Sequence, residues 1–190
     1  MSRSPTRPDR TASIATRGGD GGETSLLYGG RVPKDDLHTE ACGAVDEAVS
    51  ALGLARAQED VAPRAERLLA LQRELFTVGA ELATGPGERD RLERHFPTVT
   101  AAMVEGLDAQ LADLEARVAI PRAFVVPGGT PVAAAVDLAR TLVRRAERRA
   151  VSLRRAGALE NPEVLRYLNR LSDLLFMIAR EAEGGATSTR

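Results

Sequence analysis

The chain has 190 residues and a mass of 20.3 kDa, the size of one ordinary domain. At 43% hydrophobic and 28% charged it can bury a core, which excludes wholesale disorder. A formal net charge of -1, from 26 basic and 27 acidic residues, leaves no global positive field for nucleic acid or an anionic membrane. Cys42 is the single cysteine, so disulfide frameworks and cysteine-based zinc sites are excluded. His38 and His95 are too few for a histidine-rich metal centre. No apolar run approaches the ~20 residues that span a bilayer, and no signal-peptide core opens the chain. A cytoplasmic single-domain protein with no membrane or nucleic-acid partner is expected. Aromatics make up only 3%, which argues against stacking platforms for single strands. Lys34 is the only lysine, and the arginine excess by itself carries no functional weight.

Residues 1–15 are polar and rich in Arg, Ser, Thr and Pro, and they read as a disordered tail. Residues 16–36 follow, so dense in glycine that they forbid a helix and suggest an ordered, backbone-driven loop. From residue 37 the texture becomes helical. Ala41, Val45, Val49, Leu52 and Ala55 recur at helical spacing and predict a first helix over 37–58. Leu68, Leu71, Leu75, Val78 and Leu82 predict a second over 63–84. Met103, Leu107, Leu111, Leu114 and Val118 predict a third over 98–118. An extended piece from Ala123 to Gly129 leads to Thr130 and Pro131, a capping residue followed by proline at the first helical position. A fourth helix is therefore expected over 131–156. Asn161-Pro162-Glu163 repeats that start for a fifth, which ends near Gly184-Gly185. Its stretch from Leu174 to Ala179 is apolar nearly all round, as befits a central helix. No credible strand pairs and no internal repeats are visible. The predicted fold is all-α: an up-and-down five-helix bundle with a Gly-rich N-terminal loop. Residues 183–190 read as a flexible C-terminal tail.

Three constellations could carry chemistry. The loop from Thr16 to Ser25, with Lys34 beyond it, could converge backbone N–H groups, hydroxyls and a point charge on a phosphate. It matches neither the Walker nor the dinucleotide pattern, so a flexible linker is the alternative. On the fourth helix Arg140, Arg144 and Arg148 form one stripe with Glu147 beside it. The apolar stripe of Ala135, Ala139, Leu142, Val143, Ala146, Ala150 and Leu153 lies opposite. Aligned guanidiniums suit a polyphosphate, although a solvated basic face has the same spacing. On the fifth helix Asn169 and Asp173 share a face, either for helix–helix hydrogen bonds or as a site wall. Asp46 and Glu47 are surface carboxylates or partners of the arginine stripe. Cys42 falls on an apolar face without a histidine at pairing distance, which favours packing over nucleophilic chemistry.

Taken in order, these segments resemble the PduO-type ATP:cob(I)alamin adenosyltransferase family over residues 16–182. The resemblance rests on Thr16-Arg17-Gly18-Gly19-Asp20-Gly21-Gly22-Glu23-Thr24, and on Lys34-Asp35-Asp36 leading to Gly43 through Glu47. It continues in Phe124 through Gly129, in Ala139 through Arg148, and in Tyr167 through Phe176. It implies a homotrimer with active sites between subunits, and attack of a Co(I) corrinoid on the 5′ carbon of ATP to give adenosylcobalamin and triphosphate. It also implies one domain over 16–182, divided into a nucleotide-binding loop (16–36) and a helical bundle (37–182). By the same resemblance Thr16, Arg17, Gly18, Gly19, Thr24, Ser25 and Lys34 wrap ATP, and Arg144, Arg145, Glu147, Arg148 and Asn169 complete the nucleotide site. Arg140 is expected to pair with Asp46 across the subunit interface, and Phe124 to lie below the corrin and help remove its lower ligand. Catalytic roles are thereby implied for Arg144, Arg140, Asp46 and Phe124, and corrinoid binding for the last three. Mg²⁺ would come mainly through the ATP phosphates, with no protein ligand. A reductase and an adenosylcobalamin-dependent acceptor enzyme are the further partners implied. The chain departs from the family's common residues at Ala15, Gly18, Val49 and Asp137.

The chemistry is compatible with this residue set. Co(I) is itself a strong nucleophile, so the protein's task is to orient the 5′ carbon and stabilise the departing triphosphate. Two other readings of the same residues are a non-catalytic adenosylcobalamin carrier or ATP/corrinoid sensor, and a helical scaffold whose basic stripe meets other proteins.

Overall fold

A computed structural model describes Ala15 and residues 17–184. The expected N-terminal tail, and Thr16 with it, lies outside the described residues apart from Ala15. Of the expected C-terminal tail only Glu183 and Gly184 are described, and these cap the last helix.

Five long helices dominate: α1 (Leu37–Ala57), α2 (Ala62–Leu82), α4 (Ala101–Arg117), α5 (Pro131–Arg155) and α6 (Glu163–Ala182). A short α3 (Arg89–Glu93) makes six, correcting the expected five. Its single turn buries only Leu92 and is braced by a 2.8 Å Arg89–Glu93 pair, too little for a periodicity to register. A second correction lies in the Gly-rich loop. It holds an antiparallel hairpin of β1 (Glu23–Ser25) and β2 (Arg31–Pro33), with Thr24 opposite Val32. Three residues per strand cannot establish an alternation, which is why no strand was expected.

The helix starts follow the sequence closely. Thr130 Oγ1 accepts from Ala133 N at 3.1 Å, Thr100 Oγ1 from Met103 N at 3.4 Å, and Asp36 Oδ1 from His38 N at 2.9 Å. Each capping oxygen satisfies a backbone donor that the first helical turn leaves open. The Asp36 carboxyl lies below its ordinary value, chiefly because it accepts from that His38 N–H.

Side-chain links fix the directions of the long helices. Glu40–Arg149 and Glu47–Arg145 set α1 and α5 antiparallel, and Asp137–Arg180 with Glu147–Asn169 does the same for α5 and α6. Asp108–Arg170 and Arg117–Glu181 set α4 parallel to α6, completing the up-and-down order. The core joins Leu52 of α1, Leu68, Leu71 and Leu75 of α2, Leu107 and Leu114 of α4, and Val143 and Leu153 of α5 around α6. Leu168, Leu171, Leu174, Leu175 and Ile178 of α6 are all fully buried, as expected of a central helix. Each such side chain contributes about 1.5–3 kcal/mol.

One polar knot ties the loops to this core. Glu81 Oε1 accepts from Val99 N at 2.5 Å and from Asn161 Nδ2 at 2.9 Å, while Asn161 Oδ1 accepts from Glu163 N at 3.0 Å. Burial pushes the Glu81 carboxyl up despite the two donors. Asn161 thus starts α6 and joins it to the end of α2.

Candidate functional site

The N-terminal half of the candidate site is organised by backbone. Leu26 N donates to Gly30 O at 2.9 Å, and Gly29 at φ 112° and Gly30 at φ 90° supply the turn. The hairpin tip is seated on the end of α2: Leu27 N donates to Ala83 O and Gly85 N to Tyr28 O, both at 2.8 Å. Gly29 and Gly85 meet there so closely that a Cβ on Gly29 would fall 2.9 Å from Gly85 Cα. The Arg91 guanidinium lies 4.5 Å from the centre of the Tyr28 ring, and the rings of His95 and Phe96 flank it. Behind the hairpin Lys34 N donates to Gly22 O at 2.8 Å, and Arg31 Nη2 to Gly18 O at 2.9 Å. A Cβ on Gly19 would come within 2.9 Å of Lys34 Nζ, so the bare backbone there lets the lysine ammonium lie against the loop. Arg17, Gly18, Ser25 and Lys34 are exposed, while Gly19 and Thr24 are half-buried.

The other half stands on helix faces. The apolar stripe of α5 is buried as expected, with only Leu142 partly exposed, and the arginines leave on its two flanks. On one flank Arg140 and Arg144 line a cleft of about 470 Å³ together with Arg170, Asp173 and Phe176 of α6 and Ile120. Ile120 opens the loop that carries Phe124 and Val126, whose side chains stand fully in solvent. Arg170 is held by Asp108 and by Asp173 at 3.2 Å, so its charge is neutralised locally. Among the described residues no carboxylate lies at ion-pair distance from Arg144, Arg148 or Lys34. Arg148 Nη1 donates to Arg144 O at 3.1 Å, and Asn169 Nδ2 donates to Glu147 Oε1 at 3.2 Å.

On the opposite flank Arg145 pairs with Glu47, and Arg149 with Glu40 at 3.1 Å, around a recess of about 190 Å³ against α1. Farther along, Asp46, Leu54, Leu138 and Leu142 border an open groove of about 570 Å³. Leu54 and Leu138 are 51% and 48% exposed, unusual for leucines on helices that pack together. Arg140 is engaged within its own chain: its Nε donates to Asp137 Oδ1 at 3.1 Å. Asp46 borders the groove on the far flank of α5, and among the described residues the carboxylate that pairs with Arg140 is Asp137, not Asp46.

The structure therefore brings Arg140 and Arg144 together and joins Glu147 to Asn169, and it leaves the hairpin loop on separate supports. Cys42 is less enclosed than a core residue, its Sγ 3.8 Å from Gly79 O. Burial first, and the Asp46 charge second, push its thiol up. Sequence reasoning missed Tyr28 and Gly85, the seat of the hairpin, and the pairing of Asp137 with Arg180. No local pattern announces contacts between residues that lie about 40–60 positions apart, although the tight Gly29-Gly30 pair marks the turn.

The sequence matches the profile of the cobalamin adenosyltransferase family over residues 14–182. It is 40% identical over 171 residues to a corrinoid adenosyltransferase of Citrobacter freundii, covering 90% of this chain and 94% of the relative. It is 43% identical over 185 residues to a cobalamin adenosyltransferase of Cupriavidus metallidurans, covering 94% of each. A PduO-type ATP:corrinoid adenosyltransferase variant from Lactobacillus reuteri, solved with cobalamin and ATP, superposes with a TM-score of 0.82 at 33% identity. That likeness covers 90% of this chain and 91% of the neighbour. The chain belongs to the cobalamin adenosyltransferase family.

Proposed function

We infer that the chain is an ATP:corrinoid adenosyltransferase, transferring the 5′-deoxyadenosyl group of ATP to a Co(I) corrinoid. In that reaction the cobalt electron pair forms the Co–C bond to the 5′ carbon. The C–O bond breaks, and its pair leaves with triphosphate. The observation that carries this reading is the cleft itself, which Arg140 and Arg144 line and where, among the described residues, no carboxylate lies at ion-pair distance from Arg144. A guanidinium held on a rigid helix without a carboxylate beside it is preorganised for the charge that grows on a departing triphosphate. Each good contact contributes about 1.5–3 kcal/mol.

We propose the following site. Thr16, Arg17, Gly18, Gly19, Thr24, Ser25 and Lys34 wrap the nucleotide, with Arg144, Arg145, Arg148, Glu147 and Asn169 completing its pocket. Phe124, Arg140 and Asp46 serve the corrinoid side, Phe124 by excluding its lower ligand. Arg144, Arg140, Asp46 and Phe124 form the catalytic group. The halves come from different subunits of a homotrimer. The exposed leucines of the α1–α5 groove support this reading, because such a face is suited to burial against another copy. The separate footing of loop and arginines supports it as well, and in such a trimer Asp46 would pair with Arg140 between subunits. Mg²⁺ would come mainly through the ATP phosphates, with no protein ligand assigned. Among the described residues no three His, Cys, Asp or Glu side chains gather as a metal site. The bundle and its loop act as one domain over 16–182. Among the described residues no helix is long and apolar enough to cross a membrane, in keeping with a proposed cytoplasmic location. A reductase that supplies Co(I) and an enzyme that consumes adenosylcobalamin are the proposed partners.

The test mixes purified protein, chemically reduced cobalamin, ATP and Mg²⁺ without oxygen. Loss of Co(I) absorbance is followed, and the corrinoid product is identified. Adenosylcobalamin with equimolar triphosphate, dependent on enzyme and ATP, is expected. ATP-induced thermal stabilisation without product would instead point to a carrier or sensor.

A further inference from the structure

Asp137 and Arg180 form the one ion pair in which both side chains are only 3% exposed, among the described residues. Nothing in the reaction outlined above uses them. Two charges withdrawn from water this far are costly to bury, and packing alone would be served as well by apolar residues. Their contacts run outward in two directions. Asp137 Oδ2 accepts from Arg180 Nη2 at 2.6 Å, and its other oxygen, Oδ1, accepts from Arg140 Nε at 3.1 Å. Arg140 spends one of its five N–H donors there and keeps its amino groups for the cleft. On the far side Arg180 Nη2 donates to Glu183 Oε1 at 3.2 Å, and the two charges approach to 2.9 Å as an ion pair. Glu183 Oε1 in turn accepts from Gly129 N at 3.3 Å, at the end of the segment that carries Phe124. The approach is so close that a Cβ on Gly129 would lie 2.7 Å from Glu183 Oε1. Thr130 Oγ1 adds a 3.4 Å bond to Ala182 O at the same junction. Arg180 also lies 5.1 Å from the centre of the Phe176 ring, which lines the cleft.

We propose that Asp137 is a positioning residue of the corrinoid side of the site, acting through two arms of one buried clasp. One arm orients Arg140. The other, through Arg180 and Glu183, fixes the base of the Phe124 loop at Gly129. Two of the three groups assigned to the corrinoid, Arg140 and Phe124, thereby take their positions from one carboxylate, and neither arm reaches the hairpin that faces ATP. The inference rests on the corrinoid roles proposed for Phe124 and Arg140.

The experiment compares Asp137→Asn, Glu183→Ala and Phe124→Ala with the unaltered full chain. It measures KM for cob(I)alamin and for ATP separately, and the four-coordinate fraction of bound cob(II)alamin with ATP present by electron paramagnetic resonance. In Asp137→Asn the amide N–H₂ faces the Arg140 donor, so the cob(I)alamin KM should rise at least fivefold while the ATP KM stays within twofold. Glu183→Ala, which frees the loop base alone, should lower the four-coordinate fraction at least threefold, again with ATP KM within twofold. A general loss of packing would move both substrates together, and that result overturns the proposal. So do variants whose corrinoid KM and four-coordinate signal both stay within twofold of the unaltered chain. Should Asp137→Asn fail to fold, Glu183→Ala decides by its own criterion. Phe124→Ala separates the two failures. If it leaves corrinoid behaviour unchanged, the assignment of the loop is wrong and the clasp falls with it. If it alters that behaviour while the clasp variants do not, only the clasp is wrong.

Discussion

The cleft on α5 and α6 and the hairpin of residues 23–33 hold their functional groups by opposite means. Arg140 and Arg144 in the cleft, and Arg148 one turn beyond, project from a helix whose other face is sunk into the core, so their Cα positions are set by some of the most buried contacts in the molecule. The hairpin buries little. It is placed by backbone bonds to Ala83 and Gly85, by two glycines at positive φ, and by one tyrosine under an arginine. Side chains on a packed helix are preorganised for a charge that appears only during reaction. A backbone loop can open to admit a nucleotide and close again at low cost.

That contrast can be broken most severely from the core. Leu171→Ala on the central helix should cost about 2–5 kcal/mol, which lowers the melting temperature by roughly 4–20 °C for a domain of this size. Thermal denaturation checks it, and an unshifted melt would deny α6 its central role. Arg144→Ala should lower kcat/KM by about tenfold to a hundredfold, from the loss of one guanidinium–phosphate contact. Far-UV circular dichroism should stay unchanged, since that side chain is exposed and unpaired. Gly29→Ala tests the hairpin side. It places a methyl against Gly85 at a left-handed φ, and should raise the ATP KM about tenfold, roughly 1.4 kcal/mol. The melting temperature should scarcely move, because the core is untouched. A large drop in melting temperature with normal KM would reverse the assignment of the two regions.

The smallest effect concerns the joint between them. Asp36→Ala removes the cap of α1 just after Lys34 and should cost about 1 kcal/mol at neutral pH. The Asp36 carboxyl is depressed from its ordinary 3.8, so its stabilisation is present above that value and lost as pH falls through the lower folded value. The difference in stability between Asp36→Ala and the unaltered chain should therefore vanish in strong acid. Parallel denaturant curves at pH 7 and below pH 3.8 measure it.

The same division governs what the sequence disclosed. Helix periodicity is a property of neighbours, so Leu68, Leu71 and Leu75 or the arginine stripe could be read directly, and Thr130-Pro131 marked a start to the residue. The order of the motifs disclosed the family. The hairpin could not be read, because its strands are three residues long and its partner is the end of α2, over fifty positions away. Nor could the Asp137–Arg180 pair, where each residue alone looks like a surface charge. Both become visible only when α5 and α6 lie antiparallel. Cys42 shows the limit of periodicity from the other side: it sits beside the apolar stripe, yet only half enclosed.

The central place of α6 has a consequence on the clock of isotope exchange. Its amides around Leu171–Ala179 are roofed by neighbours on nearly every side, so deuterium can reach them only when the whole molecule comes apart. Those amides would report the global stability of the fold directly, while the hairpin amides, opening alone, should exchange long before. A nucleotide that closes the hairpin would write its footprint there first, slowing exchange at Leu27 and Gly85 by more than the general slowing that any ligand of the folded state imposes on the α6 amides.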